Sequence, residues 1–501
     1  MGLQEFVDGN KTFLIAPAGY GKTHTIVECL KYTTGRQLIL THTHAGIASI
    51  REKIKNSEVP NDAYALETIS GFIQKFVLAF YAGNDVPEQD DGKTYHPFLI
   101  DKATKIFAAP IVKQVLHATY KGLFVDEYQD CSKSQHEMIM VLADIFPTHI
   151  LGDPLQGIFD FNGASVSMEE DLKKFTQFPD LETPYRWYNS GNKGLGDLLK
   201  ETRASLLNKA PIKLATNKDI GLFVMPVASG GIIKGEKTYI IDLSKIIANR
   251  KNKPELESLL LIVPEYEEAN TKGILISQGD IGHRSTIKGR IDFAGALTLL
   301  EAIDDRMFYT LAKNADQLIT SMPRIHKKIK RLKTDILEKF FAASNLNQWV
   351  KETAWVKKTK EREKLASEKV HALFDGFFEQ PSSIKLEAIL TEVKKTLKIK
   401  NKREEVFRSF RSALKSAASE NITVYEAMKR NRNIIRRVGR KVLGKCIGTT
   451  LLTKGLEFDT VVIIDAHKFT CPKHLYVALT RCCKNLIIFT ASDTLSPYPE
   501  N

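Results

Sequence analysis

The chain has 501 residues, 43% hydrophobic and 26% charged, a composition that fits a soluble globular protein too long for one hydrophobic core. Its net charge of +13 is concentrated: residues 321–445 hold 32 of the 72 Lys and Arg but only 14 of the 59 Asp and Glu, leaving 40 basic against 45 acidic residues elsewhere. Apolar runs such as Leu259–Val263 fall far short of the roughly 20 residues that cross a bilayer, Met1–Asn10 carries no secretory signal, and the six cysteines lack metal-type spacing, so a cytoplasmic protein with reduced thiols and no membrane partner is expected.

In chain order, Thr12–Ala16 reads as a short buried strand that enters a Gly-rich turn and then a helix. Gln37–Thr41, Leu123–Val125 and His149–Leu151 are further apolar strands with helical stretches between them, the alternation of a parallel α/β sheet. The polar, turn-rich Ala82–Tyr95 reads as an exposed loop. A second set of strands is expected at Tyr239–Ile241, Leu259–Val263, Thr460–Ile464 and Leu486–Phe489. Between its members lies the basic segment, helical by pattern, for example over Ile325–Phe341 and Thr391–Lys415. The expected fold is therefore α/β, with two sheet domains of which the second is interrupted by a basic helical insertion. Charge gathered in one quarter of the chain suits contact with a polyanion.

The segment Ala16-Pro17-Ala18-Gly19-Tyr20-Gly21-Lys22-Thr23, followed by His24, sits between the first strand and its helix. Glycines there let successive backbone N–H groups turn toward phosphates, and the helix dipole favours the same anion. Lys22 is placed to reach the outer phosphates of ATP and Thr23 to ligate Mg²⁺. Asp126, ending a buried strand, is the second candidate Mg²⁺ ligand, and Glu127 the candidate base for the attacking water. Gln156, in Gly152-Asp153-Pro154-Leu155-Gln156, can sense the γ-phosphate or orient that water. Arg186 and Arg481 supply the guanidinium groups that charge building on a transferring phosphoryl group demands.

Taken together, these segments resemble the UvrD/Rep/PcrA-type helicases of superfamily 1. The matches run in the family's order: APAGYGKT, Val125-Asp126-Glu127-Tyr128-Gln129-Asp130, Leu151–Gln156, Tyr185-Arg186, Thr453-Lys454-Gly455-Leu456-Glu457-Phe458 and Tyr476–Arg481. The resemblance implies two RecA-like domains, at 1–180 (with a small insertion near 81–121) and at 181–289 plus 441–501, with the helical insertion at 290–440. It also implies an ATP hydrolase, a DNA helicase of the 3′-to-5′ class using ATP and Mg²⁺ on single-stranded DNA or DNA junctions. Gln4 would then read adenine, Tyr185 stack on the base, Gly455 and Glu457 approach the nucleotide, and Arg186 and Arg481 act as arginine fingers.

The departures fall where that family grips DNA. Thr41-His42-Thr43-His44-Ala45 has Ala45 in place of a lysine, Ser70 stands where a histidine is usual, Asn162 replaces a common arginine, and Leu451 replaces the histidine of a coupling segment. Thr41, His42, Thr68, Phe159 and Phe161 remain as candidate DNA contacts, the aromatic rings as stacking platforms. The compact first insertion is similar to the helicase-like subunit of Gabija-type antiphage systems, which works beside a nuclease. Two expectations follow: a DNA-driven motor, or a nucleic-acid-sensing regulatory ATPase in a defence complex with a nuclease subunit.

Overall fold

A computed structural model describes residues 2–89, 91–159, 165–234, 237–248, 254–265, 281–300, 305–321, 327–438, 442 and 444–498. Its strands, in chain order, are β1 (Lys11–Ile15), β2 (Gln37–Thr41), β3 (Tyr64–Thr68), β4 (Gly122–Val125), β5 (Thr148–Gly152), β6 (Thr176–Gln177), β7 (Ile212–Lys213), β8 (Leu222–Pro226), β9 (Leu259–Val263), β10 (Thr298–Leu299), β11 (Lys445–Thr449), β12 (Phe458–Ile463), β13 (Cys482–Thr490) and β14 (Thr494–Leu495). They form two six-stranded sheets, ordered β3-β2-β4-β5-β1-β6 and β10-β11-β9-β12-β13-β8, and the small pair β14-β7. Every pairing within the two large sheets is parallel.

Parallel sheets need both faces covered, so their central strands are largely buried. β9 shows how that works. All five of its residues are buried, and alternate side chains join different cores: Leu260 and Ile262 pack with Leu195, Leu199 and Val461, while Leu259, Leu261 and Val263 pack with Leu243, Ile247 and Phe489. In the first sheet, Leu14, Ile39, Phe124 and Leu151 meet Phe6, Ile26 and Ile50 of the covering helices.

The chain divides into two compact units. One holds residues 1–83, 99–302 and 437–501, and with them both sheets; the other holds 84–98 and 303–436. The second unit is helical, with helices Asp305–Ser321, Lys328–Leu332, Glu361–Glu379, Ser383–Thr396, Glu404–Glu420 and Val424–Val438 among its elements. Its core is rich in aromatic residues, with Phe340 against Phe407 at 5.2 Å and Phe410 at 5.6 Å between ring centroids. The short stretch 84–98 joins this unit through a Glu88–Lys313 ion pair at 2.7 Å. Among the described residues, no helix is long and apolar enough to cross a membrane.

Three sequence expectations change. Tyr239–Ile241 is not a strand but part of the helix Lys237–Ala248, because Tyr239, Leu243 and Ile247 recur at helical spacing and are buried together. The helix expected over Thr391–Lys415 is two helices, broken at 397–403. There Leu397 and Ile399 are buried on either side of Lys398, which takes a left-handed φ of 53°. The loop Ala82–Tyr95 ends inside the helix Gly92–Ala108, and Gln89 and Tyr95 are buried, joined by a 3.0 Å hydrogen bond. β3, β8 and β11 were absent from the expected strands; YALET and KCIGT carry little apolar contrast, whereas LFVMP is an apolar run that was passed over.

The double burial of β9 has a measurable consequence. Leu261→Ala removes a side chain packed on all sides and is expected to destabilise the sheet unit by about 2–5 kcal/mol, read as a lowered chemical-denaturation midpoint at unchanged slope.

Candidate active site

The order of the first sheet sets up the site. β4, β5 and β1 are neighbours, so Asp126 and Glu127 after β4, Asp153 after β5 and the loop 16–21 after β1 share one carboxyl edge. Such an edge is the usual place for ligands in parallel sheets. Ala16 is buried at the foot of the loop, its N–H donating to Gly152 O at 2.8 Å. Gly19 and Gly21 have φ of 81° and 92°, a region that L side chains avoid, and Gly21 caps the helix Lys22–Leu30. A Cβ on Gly19 would also lie 2.7 Å from the Trp187 ring.

Buried charges surround the start of that helix. Lys22 Nζ lies 2.9 Å from Asp126 Oδ1 and 2.5 Å from Glu127 Oε1. Burial works against the Lys22 charge, but the two carboxylates outweigh it and hold the ammonium above the usual lysine range. For Glu127 burial is likewise outweighed, by Lys22 and then Lys454, so its carboxyl stays below the ordinary range, whereas burial prevails at Asp126 and pushes it up. Glu127 also takes a left-handed φ of 55°, strain of the kind concentrated at functional sites. Asp126 Oδ1 and Lys22 Nζ are close, yet neither makes a well-directed hydrogen bond. A desolvated carboxylate with an unspent lone pair, in the same cavity as the Thr23 hydroxyl, is a donor set that fits a hard divalent cation.

The second sheet contributes from its amino edge. β12 and β13 pair Phe458 with Cys482, which brings the preceding residues Glu457 and Arg481 together. Arg186 reaches Glu457 Oε1 at 2.5 Å and also donates to the Thr480 carbonyl, while its backbone N–H bonds Gly19 O at 2.9 Å. Arg481 is buried, with Nε on Val477 O at 2.9 Å and Nη2 on Gln156 Oε1 at 3.2 Å. Burial, then the neighbouring Arg186, lowers its pKa to about 10. One cavity of about 910 Å³ is lined by Pro17 to His24, Asp126, Glu127, Gln156, Tyr185, Arg186, Gly455, Glu457 and Arg481.

Ala16 and Gln4 are not among the lining residues; Gln4 instead donates to Asp8 Oδ1 at 2.8 Å within its own helix. Of the candidate DNA contacts, Thr41, His42, Thr68 and Phe159 are not among the residues lining that cavity. Thr41 is buried with an unpartnered hydroxyl, and His42 has a buried, unpartnered Nε2, its pKa lowered to about 4 by burial and then by Lys454. Thr68 Oγ1 accepts from Gly71 N at 3.0 Å as a helix cap, and Lys454 Nζ lies 4.9 Å from the Phe159 ring centroid. Phe161 lies outside the described residues.

Sequence reasoning missed Lys53, which lines the cavity, and two buried pairs that join the sheets. Lys454 meets Asp130 Oδ1 at 2.5 Å and donates to the Gln156 carbonyl; Arg203 meets Asp153 Oδ1 at 2.7 Å. Asp130, Asp153 and Lys454 stood inside recognised segments, yet nothing in a linear pattern indicates their partners. Arg203 did leave a signal, for it interrupts the apolar stripe Leu195, Leu199 and Leu206 of its helix.

Two parallel sheets thus bring a glycine loop, buried carboxylates and two arginines to one cavity. Residues 94–177 match the UvrD/REP helicase N-terminal domain. The chain is similar to an ATP-dependent helicase/nuclease subunit of Lactococcus lactis subsp. lactis (strain IL1403), 26% identical over 138 residues, covering 26% of this chain and 11% of the relative. Exonuclease/helicase subunit RexA of Lactococcus lactis subsp. cremoris (strain MG1363) is 25% identical over 138 residues, with coverage of 26% and 11%. Gabija protein GajB of Bacillus cereus (strain VD045) is 24% identical over 245 residues, covering 39% of this chain and 49% of GajB. The matched chain thus spans 11% of the length of the first two relatives and 49% of the third. Among solved structures, a complex of arterivirus nonstructural protein 10 (helicase) with DNA aligns at 14% identity and a TM-score of 0.25, over 56% of this chain and 52% of that one.

The Asp130–Lys454 pair carries a pH signature. Burial raises the Asp130 pKa from 3.8 to about 7 even though Lys454 opposes the shift. The folded chain therefore binds this proton more tightly than the unfolded chain, and Asp130's contribution to stability declines as pH rises from about 4 to about 7. In Asp130→Asn that part of the slope in melting temperature against pH should vanish.

Proposed function

We propose that this chain is an ATP-hydrolysing motor of the UvrD type, of the 3′-to-5′ class, driven by single-stranded DNA or DNA junctions in the cytoplasm. In this reading residues 1–180 form one RecA-like domain and 181–289 with 441–501 the other, with 290–440 as the basic helical insertion. The observation that carries the proposal is the shared cavity: Lys22, Asp126, Glu127 and Gln156 from one sheet line it together with Arg186 and Arg481 from the other.

Lys22 and the N–H groups of the glycine loop hold the phosphates of ATP. Thr23 and Asp126 hold Mg²⁺, which when bound neutralises charge on the phosphate oxygens. Glu127, kept ionised by its cationic neighbours, takes the proton of the attacking water that Gln156 orients. Arg186 and Arg481 bring guanidinium charge to the phosphoryl oxygens from the opposite sheet. Tyr185, 49% exposed on the cavity wall, stacks on the base, and Gln4 must release Asp8 to read it. Because Arg186 is paired with Glu457, ATP competes with Glu457 for it, a competition that links nucleotide binding to the second sheet.

A second reading is a regulatory ATPase subunit of a defence complex, partnered with a nuclease. It is supported by the similarity to Gabija protein GajB and to proteins named as helicase/nuclease subunits, and by the prior engagement of Thr68 as a helix cap.

ATP turnover measured with and without single-stranded DNA separates the two. Stimulation of the isolated chain supports the motor, and a flat response supports the partner-gated reading. Lys22→Ala and Glu127→Gln should each lower turnover by about 100-fold or more while DNA binding persists. Neutralising Lys and Arg within 321–445 should flatten the salt dependence of DNA binding; an unchanged slope would assign that charge to another role.

A further inference from the structure

The cleft contains a second set of contacts, centred on Arg203 and Asp153, which are not themselves among the residues lining the cavity. Arg203 lies in the helix Lys193–Leu207, 8% exposed, on the stripe that otherwise buries Leu195, Leu199 and Leu206. A guanidinium there is costly unless it is paired and hydrogen-bonded. Its partner is Asp153, which is 0% exposed, with Arg203 Nη1 2.7 Å from Oδ1.

That carboxylate is fully engaged. Oδ1 also accepts from Leu155 N at 3.2 Å, and Oδ2 accepts from Gln156 Nε2 at 2.9 Å and from Ala18 N at 3.2 Å. The Ala18 N–H lies 3.2 Å from a second acceptor, the Tyr476 hydroxyl, and the Arg203 guanidinium sits 5.3 Å from the Tyr476 ring centroid. Burial works against the Arg203 charge, but Asp153 outweighs it and holds the pKa above the usual arginine range.

Two consequences follow. The phosphate loop is gripped at Ala18 by groups whose positions are set from helices on the second-sheet side. The Gln156 amide is also oriented: its nitrogen is committed to Asp153, which leaves Oε1 for Arg481 Nη2 at 3.2 Å. A continuous relay, Arg203–Asp153–Gln156–Arg481, begins and ends on the second-sheet side and passes through the first. Arg203, Asp153 and Tyr476 are not among the residues that line the cavity.

We propose that Arg203 is a positioning residue for ATP hydrolysis, registering the second sheet on the phosphate loop through Asp153 and fixing the Gln156 amide toward Arg481. The proposal rests on the reading of the cavity as an ATPase site. A displacement of about 1 Å in such a group can cost about 100-fold in rate without a comparable loss of binding.

The test is steady-state ATP hydrolysis by the full chain with single-stranded DNA, read beside the Kd of a fluorescent ATP analogue and the melting temperature. Arg203→Met should lower kcat about 100-fold and change KM and analogue Kd by less than about threefold, and Arg203→Lys should recover part of kcat. Because Arg203→Met leaves Asp153 buried and unpaired, the pair Arg203→Met/Asp153→Asn is measured as well: its melting temperature should recover while kcat does not. Wild-type kcat in the folded Arg203→Met protein, or in the double variant where the single one does not fold, overturns the role of Arg203. No turnover by wild type under any DNA condition overturns the ATPase reading itself, a result distinct from the first.

Discussion

The carboxylate of Asp153 is the constraint on which the cleft depends. A fully buried anion is tolerable only when every lone pair finds a donor, and here the donors come from both sides of the cleft: Ala18, Leu155 and Gln156 from the first sheet, Arg203 from the second. Separating the sheets would take Arg203 away from that charge. The same requirement makes the approach of the sheets specific, since an apolar contact of equal area would tolerate sliding whereas a carboxylate with four donors does not.

The other buried charges follow the same pairing rule with a different outcome. Lys454 and Asp130 form a closed pair inside protein, complete without any ligand. Lys22, Asp126 and Glu127 form an open one: their ion pairs are short, but Lys22 Nζ and Asp126 Oδ1 retain unspent hydrogen-bonding capacity. Arg186 lies between these cases, bound to a Glu457 whose side chain is itself substantially exposed. Closed pairs hold the scaffold; in the proposed function the open set supplies the compensating charge for ATP and Mg²⁺.

The helical unit obeys a separate logic. Its interior is aromatic and aliphatic, built around Phe340, Phe374, Phe407 and Phe410, with Lys333 and Glu387 as charged side chains buried in the unit. Some of its basic residues are spent locally, as where Arg411 binds the largely buried Glu387 at 2.6 Å and Lys394 binds Glu404 at 2.7 Å. Others are paired in the same way, Lys330 with Glu352 at 3.0 Å and Lys369 with Glu392 at 2.8 Å.

Local chemistry was legible in the linear sequence wherever a function is carried by neighbours in the chain. The turn around Gly19 and Gly21, the carboxylates after β4, the apolar run of β9 and the α/β alternation are all of this kind, because strand burial and phosphate-loop geometry are written in consecutive residues. The helix at Tyr239 escaped for the converse reason: a three-residue apolar window cannot distinguish a period of 2 from one of 3.6, and only Leu243 and Ile247 beyond it decide. Pairings across the cleft, Arg203 with Asp153, Lys454 with Asp130 and Tyr476 with Ala18, were decided by tertiary structure alone. They join residues from 50 to 458 positions apart, and which buried charge meets which depends on how two sheets pack, a three-dimensional fact that no spacing along the chain encodes.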